Sequence, residues 1–271
     1  MYAKSFFLLG IIVAGFIMGC QKDSPIPDNT IDTIVTTDTV ADTLSAVDPS
    51  DTLTFARLQR DFAGTTLCYR RARISSGGEG SRALVIYLHG GSSCGTDNTT
   101  QMQEAGIDSI SNYLVRHGMN VTFVVPQCPN RTAGWGGIAK NVKALLDFTV
   151  RTEGADTNRI YILGGSMGGT GTWKMLSAYP GYFAAGMPCA ANPAGAVAAN
   201  VSTTPVLNVM GLADMVMGAD VRTAAENFIS QLLALGCDAR YDTVEGWTHE
   251  MTCIQSYTTE RLNWIFSHQR Y

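Results

Sequence analysis

The sequence predicts an α/β domain built on a doubly wound, mostly parallel sheet. Three observations predict it. Short, almost wholly apolar runs of strand length recur between residues 83 and 210, and runs that apolar fit strands covered on both faces. Stretches with apolar residues at helical spacing separate them, and regular alternation of this kind implies βαβ units. Finally, 271 residues with 45% hydrophobic and 15% charged side chains suffice for a full globular core.

The N-terminal elements stand outside that domain. Lys4 precedes an apolar run from Phe6 to Met18, too short to span a bilayer comfortably and suited to the apolar centre of an export signal. The run ends at Ile17-Met18-Gly19-Cys20, which resembles a bacterial lipoprotein signal. That resemblance implies cleavage before Cys20, lipid attachment at Cys20, and an exported outer-membrane lipoprotein, periplasmic or at the cell surface, that meets the membrane through its lipid only. Gln21-Lys22-Asp23 is similar to the export signals of surface lipoproteins in some Gram-negative bacteria. An ordinary secretory signal with an incidental Cys is the alternative. Residues 21–54 are rich in Thr, Asp, Ser and Pro, without an aromatic. Such a segment buries too little to offset its ordering entropy, so it is expected to be a flexible tether. The folded domain is expected over 55–271.

Within that domain, Thr66–Ile74 reads as an amphipathic strand, followed by apolar strands at 83–88, 121–125, 159–163 and 205–210. Arg240–Val244 alternates, as an edge strand does. Helices are expected at 107–117, stopping before Gly118; at 138–152; at 168–179, stopping before Pro180; at 219–235, stopping before Gly236; and at 254–266.

Charge and cysteines narrow the function classes. A net charge of −4 and the absence of a Lys/Arg run argue against nucleic acid as a partner. Six cysteines remain besides Cys20, namely Cys68, Cys94, Cys128, Cys189, Cys237 and Cys253. An even number in an exported chain suggests disulfides, whose pairing the sequence does not choose, with buried free thiols as the alternative. No Cys-x-x-Cys or His–Cys cluster has zinc-ligand spacing, and no metal or cofactor is expected.

Ser166 is the candidate nucleophile. It stands in Gly164-Gly165-Ser166-Met167-Gly168-Gly169, between the strand at 159–163 and the helix at 168–179. A Gly-x-Ser-x-Gly turn in that context presents a serine hydroxyl at the top of a sheet, and side chains two residues before and after it would collide with neighbouring backbone. A phosphate loop would carry a Lys after its last Gly, and the next Lys is Lys174. A serine needs a base and the base an orienting acid, in the chain order Ser, acid, His. Of the two histidines beyond Ser166, His268 falls at the chain's tail, whereas His249 lies in the loop after the strand at 240–244, so His249 is the candidate base. Asp214, just past the strand at 205–210, is the candidate acid.

Leu88-His89-Gly90-Gly91-Ser92 follows the first apolar strand. Its glycines suit an oxyanion hole with N–H donors from Gly91 and from Met167, the residue after the nucleophile. His89 is expected to anchor that loop. Trp135, Trp247 and Ser92 are candidate substrate-binding residues, with simple packing an equal alternative for the tryptophans.

Taken together, Val85–Gly91, Asp156–Gly169 with Thr172-Trp173, Tyr179-Pro180, Phe183–Ala185, Pro205–Asp214 and His249 resemble the α/β-hydrolase superfamily. The resemblance is nearest to secreted feruloyl and acetylxylan esterases and poly(hydroxyalkanoate) depolymerases. Met210 departs from it, since relatives often carry His there. The resemblance implies a serine esterase that cleaves a small-molecule or polysaccharide ester, by a Ser-His-Asp acyl-enzyme route. No long insertion follows the strands, so an open site with a modest lid is expected, suited to acylated polysaccharide. The alternatives are a serine peptidase on the same fold and a catalytically silent glycan-binding surface lipoprotein.

Overall fold

Alternate residues of the central strands face opposite sides, and both sides are covered. In β4 (Arg82–Leu88), Leu84, Ile86 and Leu88 join one apolar layer while Ala83, Val85 and Tyr87 join the other, all of them fully buried. A strand buried on both faces has no polar side to alternate, hence the continuous apolar run. A computed structural model describes residues 34–35, 53–75 and 80–270, all within one compact unit.

The sheet order is β1-β9-β8-β7-β6-β4-β5-β3-β2. Its strands are β1 (Ile34–Val35), β2 (Ala56–Phe62), β3 (Thr65–Ile74), β4, β5 (Val121–Pro126), β6 (Ala155–Gly165), β7 (Ala185–Cys189), β8 (Val206–Gly211) and β9 (Ala239–Val244). β2 pairs antiparallel with β3, and β3 with β5; all other pairs are parallel. α1 (Ala105–Arg116) and α8 (Thr259–Ser267) cover one face through Ile107, Ile110, Leu114, Leu262 and Ile265. α3 (Ala139–Glu153), α4 (Met167–Ala178) and α6 (Gly218–Ala234) cover the other through Val142, Leu145, Trp173, Leu176, Phe228 and Leu232. Burying each such side chain contributes about 1.5–3 kcal/mol. The short helices α2 (Gly134–Gly137), α5 (Ala198–Val201) and α7 (His249–Gln255) lie at strand ends. The expected doubly wound, mostly parallel sheet is thus observed.

Several elements differ from the sequence reading. β2 and β7 have no counterpart among the expected strands: β2 is mostly exposed, without a clean apolar period, and β7 carries Gly186 and Pro188, poor strand formers that the neighbouring strands hold in register. The single helix expected at 254–266 is two helices, α7 and α8, each capped by a threonine side chain, Thr248 and Thr258. Ile34–Val35, inside the expected tether, pairs with Asp242 and Thr243 of β9. The signal segment, Cys20 and the rest of that tether lie outside the described residues. No helix among the described residues is long and apolar enough to cross a membrane.

The expected disulfides are not formed. Cys68, Cys94, Cys128, Cys189, Cys237 and Cys253 are free thiols. Cys68, Cys128, Cys189 and Cys237 are buried as small apolar residues are, Cys94 and Cys253 are half-buried, and the Sγ–H groups of Cys68 and Cys237 donate to the carbonyls of Thr96 and Thr204. Burial pushes the Cys128 and Cys189 thiols up to about 12, so both stay protonated at neutral pH.

Candidate active site

The site is assembled where the parallel strands end. β6 runs to Gly165, and the chain turns at Ser166 into α4. Ser166 adopts φ 56° and ψ −120°, a conformation costly for a residue with a Cβ. The packing around it enforces the turn. A Cβ on Gly164 would stand 2.6 Å from the Gly168 backbone, and one on Gly168 would stand 1.8 Å from the Leu88 carbonyl oxygen. Ser166 N–H donates to the Cys189 carbonyl at 3.0 Å, and the Ser166 carbonyl accepts from Thr170 N–H at 2.9 Å. The turn is therefore locked from both sides.

Asp214 follows β8 and is fully buried. Its Oδ1 accepts from the N–H groups of Val216 and Met217, each at 2.9 Å, which leaves Oδ2 for His249 Nδ1 at 2.8 Å. Arg222 donates to the Asp214 carbonyl at 2.8 Å. His249 Nε2 lies 2.8 Å from Ser166 Oγ. The three residues expected from sequence thus form one hydrogen-bonded chain from acid to imidazole to hydroxyl. His249 is not in a free loop: it is the first residue of α7, whose cap Thr248 accepts from Met251 N–H.

Opposite Ser166 runs the segment after β4. Gly90 N–H donates to Glu104 Oε1 at 3.1 Å, and Ser93 Oγ–H to the same oxygen at 2.6 Å. Among the described residues, nothing accepts from the N–H of Gly91 or of Met167. These two groups are the donors expected for an oxyanion. His89 is an anchor: its Nε2 accepts from Cys128 N–H at 2.9 Å, so its Nδ1–H donates to the Gly90 carbonyl at 2.7 Å. Burial lowers its pKa to about 4, which keeps the ring neutral.

Of the substrate-binding candidates, Ser92 is exposed beside Gly91, whereas both tryptophans take the packing alternative instead. Trp135 is 1% exposed; its indole N–H donates to the His89 carbonyl at 3.0 Å and its ring fills the space above Gly171. Trp247 is 7% exposed and packs under the Arg261 guanidinium, which is held by Asp242. Each indole is large enough that the core claims it. Three neighbours escaped the sequence reading. Glu104 lies fourteen residues from the glycine it holds, a separation no motif marks. Arg131 lies against Gly91 across a loop, and the Cys253 thiol lies 4.0 Å from His249 Nε2, four residues on along α7; only helical spacing would have suggested the latter.

The comparisons with known proteins agree with this architecture. No family model matches the chain. It is 27% identical to feruloyl esterase B of Neurospora crassa over 135 residues, 45% of this chain and 44% of that one. It is 38% identical to acetylxylan esterase A of Emericella nidulans over 64 residues, 24% of this chain and 21% of that one. The chain therefore spans less than half the length of either relative. A solved thermostable esterase superposes with a TM-score of 0.66 at 25% identity, over 80% of this chain and 63% of that one. The fold is that of the α/β-hydrolases. Within it, Met210 stands where related proteins were expected to carry His, and its sulfur accepts from Ala191 N–H at 3.4 Å.

Proposed function

We propose that this chain is an exported serine carboxylic-ester hydrolase that removes feruloyl or acetyl groups from plant polysaccharide or related esters. One observation carries the reading: Ser166 Oγ, His249 and Asp214 are linked by two contacts of 2.8 Å at the mouth of an α/β-hydrolase fold. His249 Nε2 takes the Ser166 proton as Oγ attacks the ester carbonyl. The N–H groups of Gly91 and Met167 receive the oxyanion, a stabilisation in which each donor is worth roughly 10²–10³ in rate. The tetrahedral adduct collapses, and His249 returns the proton to the departing alcohol. Water, deprotonated by His249, then attacks the acyl-enzyme, releasing the acid and restoring Ser166. Buried Asp214 fixes the imidazole tautomer and stabilises the imidazolium throughout.

Similarity to feruloyl and acetylxylan esterases supports the acyl class. The Cys20 signal supports export on a lipid anchor. The wild-type protein is expected to hydrolyse p-nitrophenyl acetate and to release ferulate or acetate from xylan. Ser166→Ala is expected to abolish both while circular dichroism shows an unchanged fold. Cleavage of small esters with no release from xylan removes the polysaccharide assignment. A wild-type protein inert toward every ester removes the hydrolase assignment.

A further inference from the structure

Arg131 occupies an unusual position beside the reacting centre. It sits in the turn after β5, and that turn is closed without its help: Asn130 Oδ1 accepts from the N–H groups of Thr132 at 2.8 Å and Ala133 at 3.2 Å, and the Asn130 carbonyl from Gly134 N–H at 3.0 Å. From there the guanidinium lies against Gly91. A Cβ built on Gly91 would stand 3.0 Å from Nε, 3.3 Å from Cζ and 3.5 Å from Nη2. Those near-equal distances mean that the plane lies flat over the α-carbon next to the unpaired Gly91 N–H. Gly91 does not have a positive φ. Its missing side chain serves this contact, because any Cβ would push the guanidinium away.

The charge is also uncommitted. Arg71 and Arg73 pair with Glu153, Arg261 with Asp242, and Arg222 holds the Asp214 carbonyl. Exposed Arg131 donates to no carboxylate or carbonyl among the described residues. Glu104, on the other side of the same loop, makes no ion pair with it and instead holds Gly90 and Ser93. A guanidinium is planar, permanently charged and forked, and suits two-point capture of a carboxylate. Resting flat on backbone pre-orders it, so less side-chain entropy is lost on binding.

We infer that Arg131 is a recognition residue for esters that carry a carboxylate near the scissile bond. The inference rests on the esterase reading. The carboxylate belongs either to the acyl group, as in the hemiester of a dicarboxylic acid, or to the alcohol, as in an ester of a hydroxy acid or uronate. Two substrate pairs distinguish these sources: p-nitrophenyl hemisuccinate against p-nitrophenyl butyrate, and 4-acetoxybenzoate against phenyl acetate.

The full chain and its Arg131→Met and Arg131→Lys variants are to be compared by kcat and KM on all four. Arg131→Met is expected to lower kcat/KM about 10- to 100-fold on the carboxylate member of at least one pair, the range of a hydrogen bond to a charged group. The loss should fall mainly on KM, and both neutral esters should stay within about twofold. Arg131→Lys should retain part of the preference, since the charge remains without the fork. Equal losses on charged and neutral members would overturn the inference and make Arg131 a support of the loop, and so would no loss on either carboxylate. A wild-type protein that cleaves the neutral esters leaves the esterase reading standing whichever way the charged esters fall; one that cleaves none of the four removes both.

Discussion

The Ser166 turn and the Asp214 segment both place one side chain at the same imidazole, yet they are held by different forces. The turn at 164–168 is held by exclusion: Gly164 and Gly168 approach backbone so closely that no Cβ fits, and Ser166 stays in a costly conformation because nothing around it can yield. The segment 212–217 is held by hydrogen bonds: Asp214 is gripped by Val216, Met217 and Arg222, while Leu212, Met215 and Val216 remain exposed, Met215 at 88%. Sterically held geometry tolerates no added atom. Hydrogen-bonded geometry tolerates change at its tip but depends on the chemistry at its centre. The two regions should therefore fail in different ways.

The largest effect should come from the centre of the hydrogen-bonded segment. Asp214→Asn keeps the shape, and its Oδ1 can still accept from Val216 and Met217, but an amide N–H facing His249 Nδ1 selects the wrong tautomer. The expected loss is about 10⁴-fold in kcat, or about 5.5 kcal/mol of barrier, with little change in melting temperature; steady-state kinetics and calorimetry check both halves. Gly168→Ala should do the reverse. With a Cβ 1.8 Å from the Leu88 oxygen, it is expected to cost at least ~4 kcal/mol of stability, read as a collapse in soluble yield or denaturant midpoint.

His89 tests how the wall behind the turn is fastened. Its folded-state pKa lies near 4, below the usual histidine value. Between about pH 6.5 and pH 4 the unfolded chain therefore binds a proton that the folded chain refuses. Stability from this group is complete above about pH 6.5 and lost as pH falls toward 4, up to ~3 kcal/mol. Urea midpoints measured across that window should fall, and a His89→Gln variant should flatten the slope.

Smaller effects should separate the two regions further. Glu104→Ala removes the acceptor shared by Gly90 N–H and Ser93 Oγ–H and should lower kcat about tenfold, near 1–2 kcal/mol. Glu104→Gln, which keeps a carbonyl acceptor, should recover most of it. Met215→Ser, at the exposed tip, should shift stability by no more than ~0.5 kcal/mol, measured by thermal melt, whereas Gly164 and Gly168 admit no side chain at all.

How far the sequence could be read follows the same division. The central strands were legible because double burial leaves an uninterrupted apolar run, and Ser166 because steric exclusion writes glycine at fixed offsets. Asp214 and His249 could be proposed from chain order and strand ends. β7 was not legible, because neighbours impose its extended form on Gly186 and Pro188, and β2 was not, because its mostly exposed residues carry no period. Between substrate contact and packing, the sequence leaves Trp135 and Trp247 open, because composition reports an aromatic without reporting which side of a wall it faces; burial decides for packing.

By itself, the sequence determined what is local or periodic: a doubly wound α/β sheet, a serine on a glycine turn, and an acid and a histidine on later strand ends. Only the tertiary structure decided the relations between distant segments. It brought His249 to 2.8 Å from both partners, left all six thiols outside any disulfide, tied Glu104 to Gly90, and laid Arg131 on Gly91. The physical reason is range: propensity and periodicity act over a few residues, whereas these contacts are set by how two apolar layers close around one sheet.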